Sequence, residues 1–427
     1  MGYSYGNWSS GPDLNTVCEV NCCFGTQSSA NKNGGADTFT GTETFNGTSW
    51  TAGNVLPGNK YQHANAGSSS SDGVSFGAND VKTYECSSGT WSTGGDYANT
   101  YTFPGGAGTQ TAALGAGGMI GTSPGTNCHE YNGTAWAAGG AISVGMGQSA
   151  SGGTQTDALF AGRYTNIASP STNNTCREYN GTAWSTAANL NTSRRLNGGA
   201  GTSDAFVTFG GYSTYTSTEE YNGTAWLASE DMVANFWSGG ATGTQSAGLC
   251  AGGENKIATT QLYDESVAPT LTTEAASALT DTTATLNGTI TATGGRDATT
   301  RGFYYKLGTT GDPTAGDTVV SSTGTFSTGA YTEGITGLTP GATYRVCAFA
   351  TNLVGTNTGP TVSVTACGIK STVSGTTGRM NDTISSLSAN TTYYVRAFAK
   401  NSEGTAYGTQ TSFTTPSTFR PITTTSN

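Results

Sequence analysis

A tryptophan returns at positions 8, 50, 91, 136, 184 and 226, at intervals of 42, 41, 45, 48 and 42 residues, and each one closes a version of the same phrase. The clearest copies read Glu-Tyr-Asn-Gly-Thr-Ala-Trp, at 130–136, 178–184 and 220–226. Looser copies run from Thr44 to Trp50 and from Glu85 to Trp91, with a diverged one from Tyr3 to Trp8. A period of about 40 to 50 residues is that of a propeller blade, and it constrains the fold more than any other feature of the chain. Inside each copy an Asn-Gly pair stands between short strand-like stretches, the local signal for a two-residue hairpin with positive backbone angles. A second phrase lies upstream: Gly25-Thr26-Gln27, Gly108-Thr109-Gln110, Gly153-Thr154-Gln155, Gly201-Thr202-Ser203 and Gly243-Thr244-Gln245. It is followed by a short run ending in small residues such as Gly117-Gly118, Gly210-Gly211 and Gly252-Gly253. Each period therefore predicts four strands, with Gly-Thr-Gln at the first turn and Asn-Gly at the third.

The last period has Gly243-Thr244-Gln245, Gly252-Gly253 and Tyr263 but no Trp, whereas Trp8 has no strands before it. Pairing the N-terminal strand with the three last strands completes both. The expectation is an all-β chain whose residues 1–266 form a six-bladed β-propeller of five intact blades and one composite.

Composition agrees with short strands and tight turns: 10% of the residues are charged and 64 are Gly, which argues against long helices. The regularly spaced aromatics argue against disorder. The net charge of -10, from 17 basic and 27 acidic residues with no run of Lys or Arg, speaks against a nucleic-acid partner or an anionic membrane surface. No apolar stretch approaches a membrane span, and Met1 is followed by Gly2-Tyr3-Ser4-Tyr5, so neither membrane insertion nor an export signal is expected. Nine cysteines are an odd number, most of them expected as small buried apolar residues. With no Cys-x-x-Cys pair and only His63 and His129 to help, no metal and no cofactor is expected.

These motifs, in this order, resemble the kelch-like propellers, in which a Gly-Gly pair ends the second strand and a Tyr and a Trp follow at set offsets. The resemblance covers about 260 residues and departs from the pattern at Phe45 and Cys86, where Tyr is usual.

From Val267 the grammar changes. Ala284 to Ile290, Arg301 to Tyr305 and the alternating run Arg345 to Asn352 predict a small β-sandwich over 267–366. Leu338 to Asn352 resembles the fibronectin type III family, where the Tyr after a Leu-Thr-Pro-x-x-x turn packs the core. A second copy, Leu387 to Ala399, ends at Pro416. Residues 367–416 are thus half such a module, either truncated or completed by strands of another chain, and the Thr-rich tail 417–427 is a disordered end or a junction.

A propeller scaffold does not decide function. No catalytic residues are expected, because the ring offers Arg163, Arg177, Arg194 and Arg195 but no convergent acid and base. The recurring Trp and Tyr residues are read as packing between blades rather than as sugar platforms. Recognition belongs to the loops of the opposite face, which vary in length and composition. There the sequence puts Tyr61, Tyr101, Phe103, Arg163, Tyr164, Arg194, Arg195, Tyr212, Tyr215 and Trp237, aromatics and cations suited to stacking on sugars. The competing reading of each is that it plugs a loop core.

Propellers of this type joined to fibronectin-like sandwiches resemble virion fibre and tail proteins of bacteriophages. The resemblance implies a non-enzymatic virion structural protein. Its sandwich would contact other virion proteins, its propeller would meet a host-surface glycan or protein, and homo-oligomerisation stays open. The alternatives are a bacterial cell-surface adhesin or extracellular fibre subunit, which should show an export signal in a longer precursor, and a glycan-active enzyme.

Overall fold

The computed structural model describes residues 6–36, 40–78, 80–165, 172–253, 255–368, 387, 389–402 and 404–416. Among them all regular structure is β, in antiparallel sheets, with no helix.

Residues 6–265 make six four-stranded sheets. The first consists of Cys22–Thr26, Ser29–Asn33, Thr42–Phe45 and Trp50–Ala52, and the next four open with Ala64–Ser69, Gly105–Thr109, Ala150–Thr154 and Gly198–Gly201. In the sixth, Gly240–Thr244, Ala247–Ala251 and Thr260–Glu265 are completed by Gly6–Ser10, with Trp8 opposite Tyr263. Each sheet's opening strand touches those of both neighbours, and the sixth meets the first. There is no common centre of apolar packing. Six separate buried clusters each lie between two adjacent sheets, such as Trp8, Val207, Phe209, Cys250 and Tyr263 between the fifth and sixth and Cys23, Phe45, Trp50 and Leu249 between the sixth and first.

One end of the axis carries a belt that the repeat phrases do not announce. Val20, Gln62, Phe103, Gln148, Leu196 and Ser238 all adopt left-handed backbone, with φ between 51° and 59°. The N–H of each donates to the carbonyl of its counterpart in the preceding sheet, at 2.6–3.4 Å, and Val20 donates to Ser238. Six peptide groups thus hydrogen-bond in a closed circle. Non-glycine residues in this conformation cost of order 1 kcal/mol each. The circle offsets that cost by satisfying backbone groups at the ends of strands whose inner edges have no further strand to pair with.

The small pairs ending the second strands serve the same junction. The N–H groups of Gly35, Ala78, Gly118, Gly211 and Gly253 donate to the carbonyls of Lys60, Tyr101, Met146, Phe236 and Cys18 in the following sheet's entry loop, at 2.6–3.0 Å. A Cβ on Gly117 would lie 2.0 Å from the Met146 carbonyl oxygen, and one on Gly210 2.2 Å from that of Phe236, so only glycine allows the approach.

The repeated phrase is a packing and latching device. Tyr131, Tyr179 and Tyr221 stand directly opposite Trp136, Trp184 and Trp226, with ring centroids 4.9–5.0 Å apart. Trp8, Trp50 and Trp136 donate through Nε1 to Thr218, Thr260 and Thr83 of the preceding sheet at 2.9–3.0 Å. The Tyr hydroxyl donates to the Glu of the preceding copy: Tyr179 to Glu130 at 2.5 Å, Tyr221 to Glu178 at 3.0 Å, and likewise Tyr131 to Glu85 and Tyr263 to Glu220. The two departures from the pattern follow from this. Where the preceding sheet has Thr44 or Leu262 instead of Glu, the next sheet has Cys86 or Phe45 instead of Tyr, so no buried hydroxyl is left without an acceptor. Gln27, Gln155 and Gln245 act as staples, each donating through Nε2 to two backbone carbonyls of the preceding sheet at 2.6–3.2 Å.

The third turn differs from the expected Asn-Gly centre. At Gly47, Gly133, Gly181 and Gly223 only the glycine has positive φ, 84–91°. The preceding Asn accepts with Oδ1 from the backbone N–H groups two and three residues on, at 2.8–3.0 Å. The turn is therefore centred on Gly-Thr with Gly first, the arrangement of a II′ hairpin, and the Asn caps it. Ser88-Gly89 alone has both central angles positive, 49° and 77°.

After Glu265, Thr270–Ser277, Thr283–Ala292 and Gly329–Thr336 form a three-stranded sheet. It faces a second one in which Ala298–Leu307 lies between Thr318–Phe326 and Thr343–Thr351, with Thr356–Thr358 and Val362–Thr365 on the far edge. Leu286, Ile290, Phe303, Tyr331 and Val346 share their core. The Tyr344 hydroxyl accepts the Thr339 N–H at 3.0 Å, closing the Leu-Thr-Pro turn. Arg296 ties this part to the ring, donating to the Gly6 carbonyl at 2.9 Å and to Glu230. Beyond it, Thr392–Val395 pairs with Thr411–Thr414, and Phe398–Asn401 with Gly404–Tyr407. The rest of the half-module, the tail 417–427 and Tyr3 lie outside the described residues.

Two outcomes follow. Trp8→Ala removes a buried ring from the closing strand and should cost about 3–5 kcal/mol in chemical denaturation. The latch phenols are held protonated: burial and, next, the Glu partner raise Tyr131 from the ordinary 10 to about 12, and burial with Glu partners raises Tyr179, Tyr221 and Tyr263 too. The unfolded chain loses these protons above about pH 10 and the fold does not. Their contribution is therefore fully present below pH 10 and is lost as pH rises towards 12 and beyond. Melting temperatures recorded from pH 8 to 12 should fall from about pH 10, less steeply in Tyr131→Phe.

Candidate recognition face

The belt residues each sit five positions before the Gly of the first-turn phrase or its counterpart Gly67. They mark the end of the ring where the variable loops run, opposite the recurring turns. Below the belt an axial cavity of about 220 Å³ is lined by the six opening strands and holds no Asp, Glu, Lys or Arg. Its imidazole, His63, meets Asn33 Oδ1 through Nε2 at 2.9 Å. Burial, with Lys60 and Lys32 nearby, lowers its pKa to about 3, so it stays neutral. The wall can offer hydrogen bonds but no charge.

Belt side chains alternate around the mouth: Val20, Phe103 and Leu196 are apolar, Gln62, Gln148 and Ser238 polar. Phe103 is thus part of the belt itself. Tyr61, Arg195 and Trp237 occupy the same position in three sheets, immediately before Gln62, Leu196 and Ser238.

The strongest grouping spans the fourth to sixth sheets. The Arg195 guanidinium carbon lies 4.7 Å from the ring centroid of Tyr164 and 4.4 Å from that of Tyr212, and Trp237 meets Tyr212 edge-on at 5.2 Å. Tyr164 ends the strand Asp157–Tyr164, Arg195 enters the fifth sheet, Tyr212 follows Phe206–Phe209 and Trp237 precedes Gly240–Thr244. Tyr212 is 38% exposed and Tyr215 40%.

Three of the expected surface residues are buried, and the reason is local. The position two before each belt residue holds Cys18, Lys60, Tyr101, Met146, Arg194 and Phe236, every one buried. It is a plug under the entry loop. Arg194 fills it with no exposure at all, its Nη2 2.7 Å from Glu219 Oε1 and its Nη1 on the Gly210 and Ser217 carbonyls. Lys60 fills it with Asp80 at 2.6 Å. Tyr101 packs on Tyr97 at 5.8 Å. Tyr164, also buried, forms the floor under Arg195. Arg163 is half-buried and donates to the Gly145 carbonyl at 3.3 Å, joining the third sheet's exit loop rather than the stack.

The sequence reading missed the belt, including Gln62, Gln148, Leu196 and Ser238. Five residue types over six positions, none of them glycine, give no signal by identity, and the fixed five-residue offset was the available clue.

No family model matches this chain, and no curated protein matches it. Among solved structures that of YjhT is similar, with a TM-score of 0.50 at 11% identity over 59% of this chain and 95% of YjhT. At that identity the likeness speaks for fold alone: the chain is an all-β protein with a propeller-type arrangement of sheets.

Arg194→Ala should cost about 3–5 kcal/mol, because Glu219 is left as a buried unpaired charge. Arg195→Ala removes two cation–π contacts at a half-buried site and should cost about 1–2 kcal/mol. Urea denaturation of both variants checks the assignment, and equal losses would refute it.

Proposed function

We propose that this chain is a non-enzymatic structural protein of a bacteriophage particle, a fibre or tail component. In this reading residues 6–265 are a six-bladed kelch-like β-propeller that attaches to a host-surface glycan, and fibronectin type III-like modules join it to other virion proteins. The gathering of Phe103, Tyr61, Arg195, Tyr212 and Trp237 around one end of the ring carries the reading. Flat aromatic rings beside a cation stack on the apolar faces of sugars, and a belt of fixed peptides holds them without ordering cost on binding. The packing of a three-stranded sheet on a five-stranded one over residues 270–365, with the Tyr344 hydroxyl fixed in the Leu-Thr-Pro turn, supports the second module. The uncharged axial wall and neutral His63 support binding rather than chemistry.

Mass spectrometry of purified particles should find the chain, and its absence from them would sink the virion assignment. On a glycan array the full chain should bind, and Trp237→Ala should weaken binding by about tenfold or more, as for an aromatic hot spot.

A further inference from the structure

Several cations among the described residues are held by a protein acceptor. Lys60 has Asp80, Lys82 has Asp96, Arg194 has Glu219, Arg296 has Glu230 and Arg345 has Asp312. Arg163 and Arg177 donate through Nη1 to backbone carbonyls. Arg195 and Arg301 differ. Among the described residues neither has a carboxylate or carbonyl acceptor, and each lies against two aromatic rings, Arg301 on Phe326 and Tyr331 within the sandwich and Arg195 on Tyr164 and Tyr212 at the mouth of the ring. This holds in a chain with 27 acidic residues against 17 basic ones, where carboxylates outnumber the cations that compete for them.

The geometry limits what Arg195 is free to do. Tyr164 and Tyr212 both lie against the guanidinium, their ring centroids 4.7 and 4.4 Å from its carbon. The rings take no hydrogen bond from it, so its planar fork of N–H donors stays available. A fork of this kind pairs with two oxygens of one anion through parallel hydrogen bonds, and partial burial strengthens the pairing. Trp237, edge-on to Tyr212 at 5.2 Å, adds an aromatic surface beside the anion position. The axial wall below carries no charge, so discrimination between acidic and neutral ligands falls to this one side chain.

We infer that Arg195 is the anion-reading residue of the recognition face, taking the carboxylate or sulfate of an acidic saccharide whose ring lies against Trp237 and Tyr212. The inference rests on the glycan-binding reading above and adds the ligand's charge class and the residue that reads it.

The test uses the full chain on matched oligosaccharides: neutral, uronic-acid-containing and sulfated, each at low and high salt. Wild type should prefer acidic probes, and the preference should weaken with salt. R195Q should lower the ratio of acidic to neutral binding by about 10- to 100-fold. R195K, which keeps the charge but not the planar fork, should recover no more than about a tenth of it. Thermal melts of each variant separate lost binding from lost folding, and R195K keeps the test decisive if R195Q unfolds. The uronate and sulfate arms tell which anion is read. Binding confined to neutral probes, or acidic binding unchanged in R195Q, overturns the inference and leaves the glycan-binding reading standing. Binding to no saccharide overturns both.

Discussion

The ring depends on one strand pairing, Gly6–Ser10 against Thr260–Glu265. Because the buried clusters lie between sheets rather than at a shared centre, an open row of six would leave one face of the first and one of the last uncovered. The closing strand brings Trp8 against Phe209 at 4.7 Å and Tyr263 at 5.0 Å. The same step brings Gln27 onto the Gly248 and Tyr263 carbonyls and Val20 onto Ser238. Apolar burial, side-chain staples and the peptide belt are therefore completed together, which makes closure the cooperative step of folding.

Much of this could be read from the chain. Trp8 without preceding strands, and a last period without its Trp, identified the composite sheet because strand count is a matter of repeat arithmetic. The purpose of the Asn-Gly and Gly-Gly pairs was less legible. Asn caps a turn whose centre lies one residue later, and the glycines make room for a carbonyl of a neighbouring sheet, contacts about which a local pattern is silent. Phe45 and Cys86 depart from the motif and are matched to Leu262 and Thr44 of the respective preceding sheets. Arg194 and Arg195 mark the limit: adjacent and identical in type, one plugs the loop and the other faces the mouth. Only Glu219, a strand away, tells them apart.

The two ends of the ring answer to different constraints. At the recurring turns, side chains such as Asn132 and Gln155 are consumed in holding backbone, so sequence there is dictated by geometry. At the belt, backbone bonds to backbone, and the side chains are released from that duty. Residues as unlike as Val20, Gln62, Phe103 and Ser238 can occupy equivalent positions there at no cost to the framework. A mouth built in this way can be re-tailored residue by residue while the circle beneath it stays fixed.

Glu265 is where the chain leaves the ring, and it does so from the end that carries the recurring turns, with Gly6 as its direct partner. A pull on that exit, resisted at the belt end, runs along the strand Thr260–Glu265 and not across it. That strand is flanked on both sides, by Ala247–Ala251 and by Gly6–Ser10, so its hydrogen bonds are loaded together in shear instead of being peeled one at a time. The strand that closes the ring would thereby double as a mechanical clamp on the exit, because any load applied at Glu265 is met by Gly6–Ser10 beside it.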